Sequence, residues 1–211
     1  MSCCIDYTNN HFDELVALQD LKYYRNKGTK KSTQALLNIL NNLDLEGMHL
    51  LDIGAGIGVV SIELQNSGLS EITHNEISSA YIDVFQKEID RKLNGTKINS
   101  LKGDFVEVAG KIDSADIVVL DKSICCYPYY EELVRASAAK ANTWYAYVIP
   151  RDTWWVKFVH YFGELIKSLK GDSFRSFIYP VDKIEKIVLQ YGFTKLVELH
   201  QREWLVAVFK K

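Results

Sequence analysis

The residues most able to do chemistry stand in one short stretch, Leu50-Leu51-Asp52-Ile53-Gly54-Ala55-Gly56-Ile57-Gly58. An apolar run ends in the carboxylate of Asp52, and glycines follow at every second position. Val59-Val60-Ser61-Ile62-Glu63-Leu64 then reads as a helix. Strand, glycine turn and helix in that order open a nucleotide-binding βαβ unit, in which glycine lets the backbone turn tightly and touch a ligand. The spacing differs from the G-x-G-x-x-G that grips a pyrophosphate. A second carboxylate, Glu76, ends Ile72-Thr73-His74-Asn75-Glu76, twenty positions after Gly56. An acid there can accept hydrogen bonds from two ribose hydroxyls. Charge-assisted bonds of that kind are worth about 1.5–3 kcal/mol each.

These groups need a scaffold, and hydrophobic periodicity outlines it. Phe12, Leu15, Val16, Leu18 and Leu21 predict a helix over 11–24, broken by Tyr23-Tyr24-Arg25-Asn26-Lys27-Gly28. A second helix begins after Ser32 or Thr33 and carries Leu36, Leu37, Ile39, Leu40 and Leu43. Beyond Glu76 a helix capped by Ser78 or Ser79 runs through Val84, Phe85 and Ile89 to Asn94-Gly95. A strand from Lys97 to Leu101 closes at Gly103-Asp104-Phe105. Asp116-Ile117-Val118-Val119-Leu120-Asp121 is an apolar run between two acids, the pattern of a central parallel strand buried on both faces. Its C-terminal end should lie beside the glycine turn, where ligands gather in an open α/β sheet. Lys122 to Pro128, with Cys126 and Tyr127, is therefore expected on the acceptor side.

The C-terminal third continues the alternation. A helix over Glu131–Lys140 leads to a fifth strand, Trp144 to Ile149, ending at Pro150-Arg151-Asp152. Next comes a helix rich in rings, with Trp154, Trp155, Phe158, Tyr161 and Phe162, stopped by Gly171. Its rings fill the core, line a pocket, or rest on a membrane surface. Arg151 is expected at the ligand edge, where its fork of donors suits a carboxylate, unless it pairs with Asp152. Arg175 stands between Phe174 and Phe177 in an extended segment. A helix from Val181 to Tyr191 and two strands, Phe193–Leu199 and Trp204–Phe209, complete the chain.

Whole-chain properties narrow the classes. The 211 residues are 47% hydrophobic and 25% charged, enough for one domain with a full core. A net charge of −2 gives no general pull toward nucleic acid. No run is long and apolar enough for a transmembrane span, and the N-terminus lacks a secretory pattern, so a cytoplasmic protein is expected. Cys3-Cys4 and Cys125-Cys126 do not have zinc-site spacing, so no metal is expected and reduced thiols are. His49 and His74 fall on strands and read as structural.

The pattern D-x-G-x-G-x-G at residues 52–58, followed by Glu76, resembles motif I and the ribose acid of the class I methyltransferases that use S-adenosylmethionine (SAM). The terminal strand pair after a parallel sheet is typical of that fold. The resemblance implies an α/β, Rossmann-like, doubly wound sheet of seven strands, mostly parallel with an antiparallel C-terminal strand. N-terminal cap helices (1–47) precede the core (48–211) in a single domain. It implies that the glycine turn packs under the methionine part of SAM and that Asp52 steers its amino group. It further implies cofactor contacts at Gly54, Ala55, Gly56, Gly58, Glu76, Ile77 and Asp121. Asp104 would bond the adenine amine and the amide of Phe105 a ring nitrogen. Tyr127-Pro128 and Phe174-Arg175 are similar to bacterial small-molecule methyltransferases related to magnesium-protoporphyrin IX O-methyltransferase. In that enzyme the motif is Ile-His-Tyr-Pro, and here Cys126 stands at the histidine's place. Its cap tyrosine is matched by Tyr23 or Tyr24.

Methyl transfer from a sulfonium is an in-line displacement, leaving S-adenosyl-L-homocysteine (SAH) as product. A carboxylate acceptor needs no base, whereas a hydroxyl or protonated amine does. Tyr24, Cys126, Tyr127, Asp121 and Arg151 are the residues expected near the acceptor, a small organic molecule, partly apolar and with an anionic group, methylated on O or N. Two rival readings stand beside this one: a nucleic-acid methyltransferase and a non-catalytic SAM-binding protein. No Asn-Pro-Pro-Tyr follows the fourth strand and no basic patch extends beyond Lys27, Lys30 and Lys31, so nucleic acid is not the expected partner.

Overall fold

The computed structural model describes residues 13–89, 96–169 and 174–211. The elements are α1 (Glu14–Lys27), α2 (Lys31–Leu40), β1 (His49–Ile53), α3 (Val59–Leu64), β2 (Glu71–Glu76), α4 (Ser79–Ile89), β3 (Lys97–Lys102), α5 (Phe105–Val108), β4 (Ala115–Asp121), α6 (Tyr130–Lys140), β5 (Ala141–Pro150), α7 (Trp154–Leu169), α8 (Val181–Gln190), β6 (Thr194–Gln201) and β7 (Trp204–Lys210). The strands form one seven-stranded sheet in the order β3-β2-β1-β4-β5-β7-β6. The first five are parallel, and β7 runs antiparallel between β5 and β6. The order reverses between β1 and β4, so the glycine turn and the end of β4 meet at the switch point of the sheet, where a crevice opens.

Alternation along the strands explains the two layers. In β1 and β4, Leu51, Val118 and Leu120 face one side, packed with Leu133, Val134 and Ala138 of α6 and Ile184 and Val188 of α8. Their neighbours Leu50, Ile117 and Val119 face the other, against Leu36, Leu37 and Leu40 of α2 and Val60 and Leu64 of α3. Successive side chains on a strand point to opposite faces, so an unbroken apolar run is buried on both. A third cluster joins Ala17, Leu21 and Tyr24 of α1 to Tyr81, Val84, Phe85 and Ile89 of α4.

Several expectations are corrected. The helix expected over 11–24 is described from Glu14, capped by the Asp13 side chain at 2.9 Å from Val16 N, and it runs on to Lys27. Tyr23-Tyr24-Arg25 is not a break: Tyr24 continues the buried stripe of Ala17 and Leu21, and the stop is Gly28 at φ 74°. The rings of α7 fill neither core nor pocket, since Val156 is the buried side chain of that helix and Trp154, Phe158, Tyr161 and Phe162 are exposed. The expected stops at Asn94-Gly95 and Gly171, and the pair Cys3-Cys4, lie outside the described residues. Cys125 and Cys126 are free thiols. His74 is fully buried and stacked on Phe85 at 3.9 Å, and burial pushes its pKa down to about 3. His49 Nε2 lies 2.8 Å from Thr73 Oγ1. Among the described residues no helix is long and apolar enough to cross a membrane, and no cluster of His, Cys, Asp or Glu could hold a metal.

Candidate active site

A cavity of about 670 Å³ opens at the C-terminal ends of β1, β2 and β4. Its floor is the turn after β1, and the three glycines of that turn do different work. The amides of Gly54 and Ala55 donate to the carbonyl of Asn75 at 2.9 and 3.2 Å, which binds the turn to β2. A Cβ on Gly54 would lie 2.6 Å from Cβ of Ser123, and one on Gly58 only 2.1 Å from the Phe85 ring. A Cβ on Gly56 would meet only the Tyr81 ring, at an ordinary 3.5 Å. Gly54, Ala55 and Gly56 line the cavity; Gly58 does not. The missing side chain at Gly58 makes room for the Phe85 ring of α4.

The expected acids all reach the cavity. Asp52 is buried, and burial pushes its carboxyl up to about 7. Its Oδ2 accepts from Ser61 Oγ at 2.8 Å, while Oδ1 has no partner among the described residues. Glu76 Oε2 accepts from the amide of Gly56 at 2.8 Å, and Oε1 from Ile77 and Ser78 at 2.7 and 2.9 Å. Burial raises its pKa against the pull of those amides. Asp104 caps α5 by accepting from Val106 N at 2.9 Å, and it also accepts from Tyr127 Oη at 3.0 Å. Asp121 accepts from Thr33 Oγ1 at 2.6 Å and from Lys122 Nζ at 3.0 Å. Lys122 Nζ also donates to Thr33 Oγ1 at 2.6 Å and lies 5.3 Å from the centre of the Trp204 ring. Lys122 adopts φ 62°, a conformation non-glycine residues occupy at a cost and keep mainly at functional sites.

Ile77, Phe105, Tyr24, Cys126 and Tyr127 also line the cavity. Tyr24 Oη donates to Glu63 Oε1 at 2.5 Å, and burial together with that carboxylate raises its pKa. Cys126 Sγ lies 3.9 Å from Cys125 Sγ, a contact that lowers the Cys126 pKa, and both thiols approach the carbonyl of Lys122. Arg151 does not take its expected place at the ligand edge. It does not line the cavity; its amide donates to Glu203 O at 2.8 Å and its guanidinium to Arg202 O at 3.2 Å, on the β6–β7 turn. The register Pro150↔Trp204 carries it there. Arg175 and Phe177 take the expected place in the cavity wall, held by the amide of Phe177 on Cys125 O at 2.8 Å. Thr33, Tyr81 and Lys122 also line the site. Nothing in their spacing marks Thr33 or Tyr81, since both contacts depend on how α1 and α2 fold back.

Helix α1 covers the cavity mouth through Tyr23, Tyr24 and the Gly28–Lys30 connection. Tyr81 Oη donates to Asp20 at 2.7 Å, Tyr24 to Glu63, and Arg25 pairs with Glu88. Limited proteolysis is expected to cut at Lys27 or Lys30, and bound SAH to slow the cut by fixing α1. Equal cleavage with and without SAH would show that α1 does not close on the cofactor.

Known proteins share this arrangement. Residues 51–139 match the family described as a methyltransferase domain. The ribosomal protein L11 methyltransferase of Ruminiclostridium cellulolyticum is 22% identical over 97% of this chain and 56% of its own length. That of Leuconostoc citreum is 25% identical over 54% of this chain and 36% of its own length. The chain thus spans about a third to about half of the length of these curated relatives. In fold, it is similar to magnesium protoporphyrin IX methyltransferase from Synechocystis PCC 6803 with bound SAH, at a TM-score of 0.77 and 15% identity over 97% of this chain and 98% of that one. An O-methyltransferase family protein from Burkholderia thailandensis aligns at a TM-score of 0.66 and 12% identity, over 85% of this chain and 56% of that one. Residues 51–139 thus carry a methyltransferase domain, and the sheet order is that of the Rossmann-like methyltransferase fold, with SAM as its cofactor.

The residues present fit that cofactor. The open space over Gly56 admits a ligand, and Asp52 and Ser123, which line the cavity, each hold a buried oxygen, Oδ1 and Oγ, without a partner among the described residues. Buried polar atoms left without partners carry a cost that a ligand's donors relieve.

Proposed function

We propose that the chain transfers the methyl group of SAM to a small, partly apolar organic acceptor bearing an anionic group, on oxygen or nitrogen. SAM supplies the methyl carbon and its sulfonium leaving group. In this reading residues 1–47 cap a core of 48–211. Gly54, Ala55 and Gly56 support the methionine part of the cofactor, Asp52 meets its amino group, and Glu76 holds the ribose. Asp104, Ile77 and Phe105 surround the adenine. Thr33, Lys122 and Asp121 tie the cap to the end of β4. The acceptor atom must sit about 3–3.5 Å from the methyl carbon and in line with its bond.

The observation that carries the anionic acceptor is Arg175 beside Phe177, in the wall of the same cavity as the glycine turn. A guanidinium fork suits a carboxylate and a ring suits an apolar body. The hydrogen bonds of the two tyrosines in the cavity suit a nucleophile already charged. Tyr24 and Tyr127 donate their protons to Glu63 and Asp104, and among the described residues no histidine lines the cavity. Arg175→Leu is expected to raise the acceptor KM by about 10–100-fold, the cost of losing a charged hydrogen bond, with the KM for SAM nearly unchanged. Arg151→Leu should leave both unchanged. An Arg175→Leu enzyme with wild-type acceptor kinetics would contradict the anionic reading.

The alignment with the ribosomal protein L11 methyltransferase of Ruminiclostridium cellulolyticum over 97% of the chain favours a second reading, a protein acceptor. Transfer of labelled methyl to a ribosomal protein fraction would select it.

A further inference from the structure

Helix α7 is built the wrong way round for a helix that covers a core. At 3.6 residues per turn, its apolar side chains from Tyr161 through Trp154, Phe158 and Phe162 to Val159 fill one arc of about 160° that holds no charge. That arc faces outward: Trp154, Phe158, Tyr161, Phe162, Leu165 and Leu169 are 46–81% exposed. The polar side faces the domain. His160 Nε2 and Glu164 Oε1 lie 3.0 and 2.9 Å from Ser176 Oγ, and Lys167 Nζ donates to Glu164 at 2.8 Å and covers the Phe174 ring. A surface helix ordinarily turns its apolar stripe inward, and a continuous exposed patch of this kind marks an interaction surface.

We propose that α7 is the interface of a homodimer, in which two copies of the helix cross antiparallel about a two-fold axis near the helix centre. The sequence of the helix is complementary to its own reverse. Rings occupy the N-terminal half and aliphatic chains the C-terminal half, so the two-fold sets Trp154 against Leu169 of the second copy and Phe158 against Leu165. Tyr161 meets Phe162 at the axis. Each contact occurs twice, as an isologous interface requires.

The area also fits. Aromatic side chains bury about 150–250 Å² each, so the four exposed rings offer on the order of 500 Å². The aliphatic chains bring the face to the scale of the ~800 Å² per partner that stable interfaces bury. A lipid surface fits less well. Helices that lie on membranes carry lysines free on their polar face. Here the polar face is engaged with the domain, Lys157 is the one exposed cation among the described residues of the helix, and the net charge is −2.

Light scattering on the eluting full-length chain at micromolar concentration tests this. The expected mass is twice that of the monomer. Phe158→Glu and, separately, Leu165→Glu should each give the monomer mass, with far-UV circular dichroism and SAM affinity unchanged. The pair Phe158→Glu with Leu165→Lys should recover dimer, because each charge then faces its opposite across the axis. A wild-type monomer, whether or not it binds vesicles of anionic phospholipid, overturns the proposal. So does a dimer whose mass neither single variant changes.

Discussion

Glu76→Ala should bind SAM at least ~100-fold more weakly than the wild-type chain. Two ribose hydrogen bonds to a carboxylate are worth about 3 kcal/mol or more together, which corresponds to about two decades in affinity. The geometry adds a second contribution. Glu76 accepts from the amides of Gly56, Ile77 and Ser78, so it also fixes the glycine turn. A carboxylate has about four acceptor sites, and those amides use three. The ribose hydroxyls therefore compete with Gly56 for Oε2. Glu76→Gln keeps one acceptor oxygen, offers an NH₂ in place of the other, and should fall between the two. Calorimetry giving wild-type affinity for a folded Glu76→Ala chain would remove Glu76 from the cofactor site.

The glycines of the same turn should separate binding from folding. Gly56→Val places a branched side chain in the cavity, near only the Tyr81 ring, and is expected to cut SAM affinity by ~100-fold or more, on the order of 3 kcal/mol, while its left-handed backbone at φ 58° costs about 1–2 kcal/mol of stability without any overpacking. Gly58→Val drives its Cβ to within 2.1 Å of the Phe85 ring, which is fully buried and stacked on His74. Overpacking costs about 1–3 kcal/mol and the left-handed backbone at φ 74° about 1–2 more for a side-chain-bearing residue. In a domain of this size that lowers Tm by roughly 10 °C, at 2–4 °C per kcal/mol. Thermal melts with and without SAM distinguish the two variants. A Gly58→Val chain of wild-type Tm would show that the α3–α4 packing yields more easily than its geometry indicates.

These two glycines also show where sequence is informative and where it falls short. Their types and spacing mark the turn, and Glu76 at its fixed distance marks a second acid. The apolar run 116–121 marks the central strand, because burial on both faces leaves no polar alternation. What separates Gly56 from Gly58 is a neighbour on α4, far along the chain, and no local pattern records it. The same holds for Arg151 and Arg175. Both are arginines expected near the ligand edge, but the pairing of β5 with β7 turns Arg151 toward the β6–β7 turn, while the bond from Phe177 N to Cys125 O holds Arg175's segment in the wall. The contact of Thr33 with Lys122 spans 89 positions. For α7 the periodicity reveals an apolar arc but not which way it faces, since that is set by the bonds of His160 and Glu164 to Ser176. Tyr24 reads locally as part of a break because a tyrosine pair beside arginine is polar in sum. Its burial against α4 keeps the helix intact to Lys27.

The most direct measurement incubates the purified chain with SAM labelled in its methyl group and, in parallel, with a low-molecular-weight metabolite extract, a ribosomal protein fraction and total RNA. SAH is quantified and the label followed by mass spectrometry. The result expected is SAH formed in step with label in a small organic molecule, as a methyl ester or a methylated amine, with none above background in protein or RNA. Label in protein or RNA, or SAM bound with no SAH formed in any fraction, would contradict the proposed function.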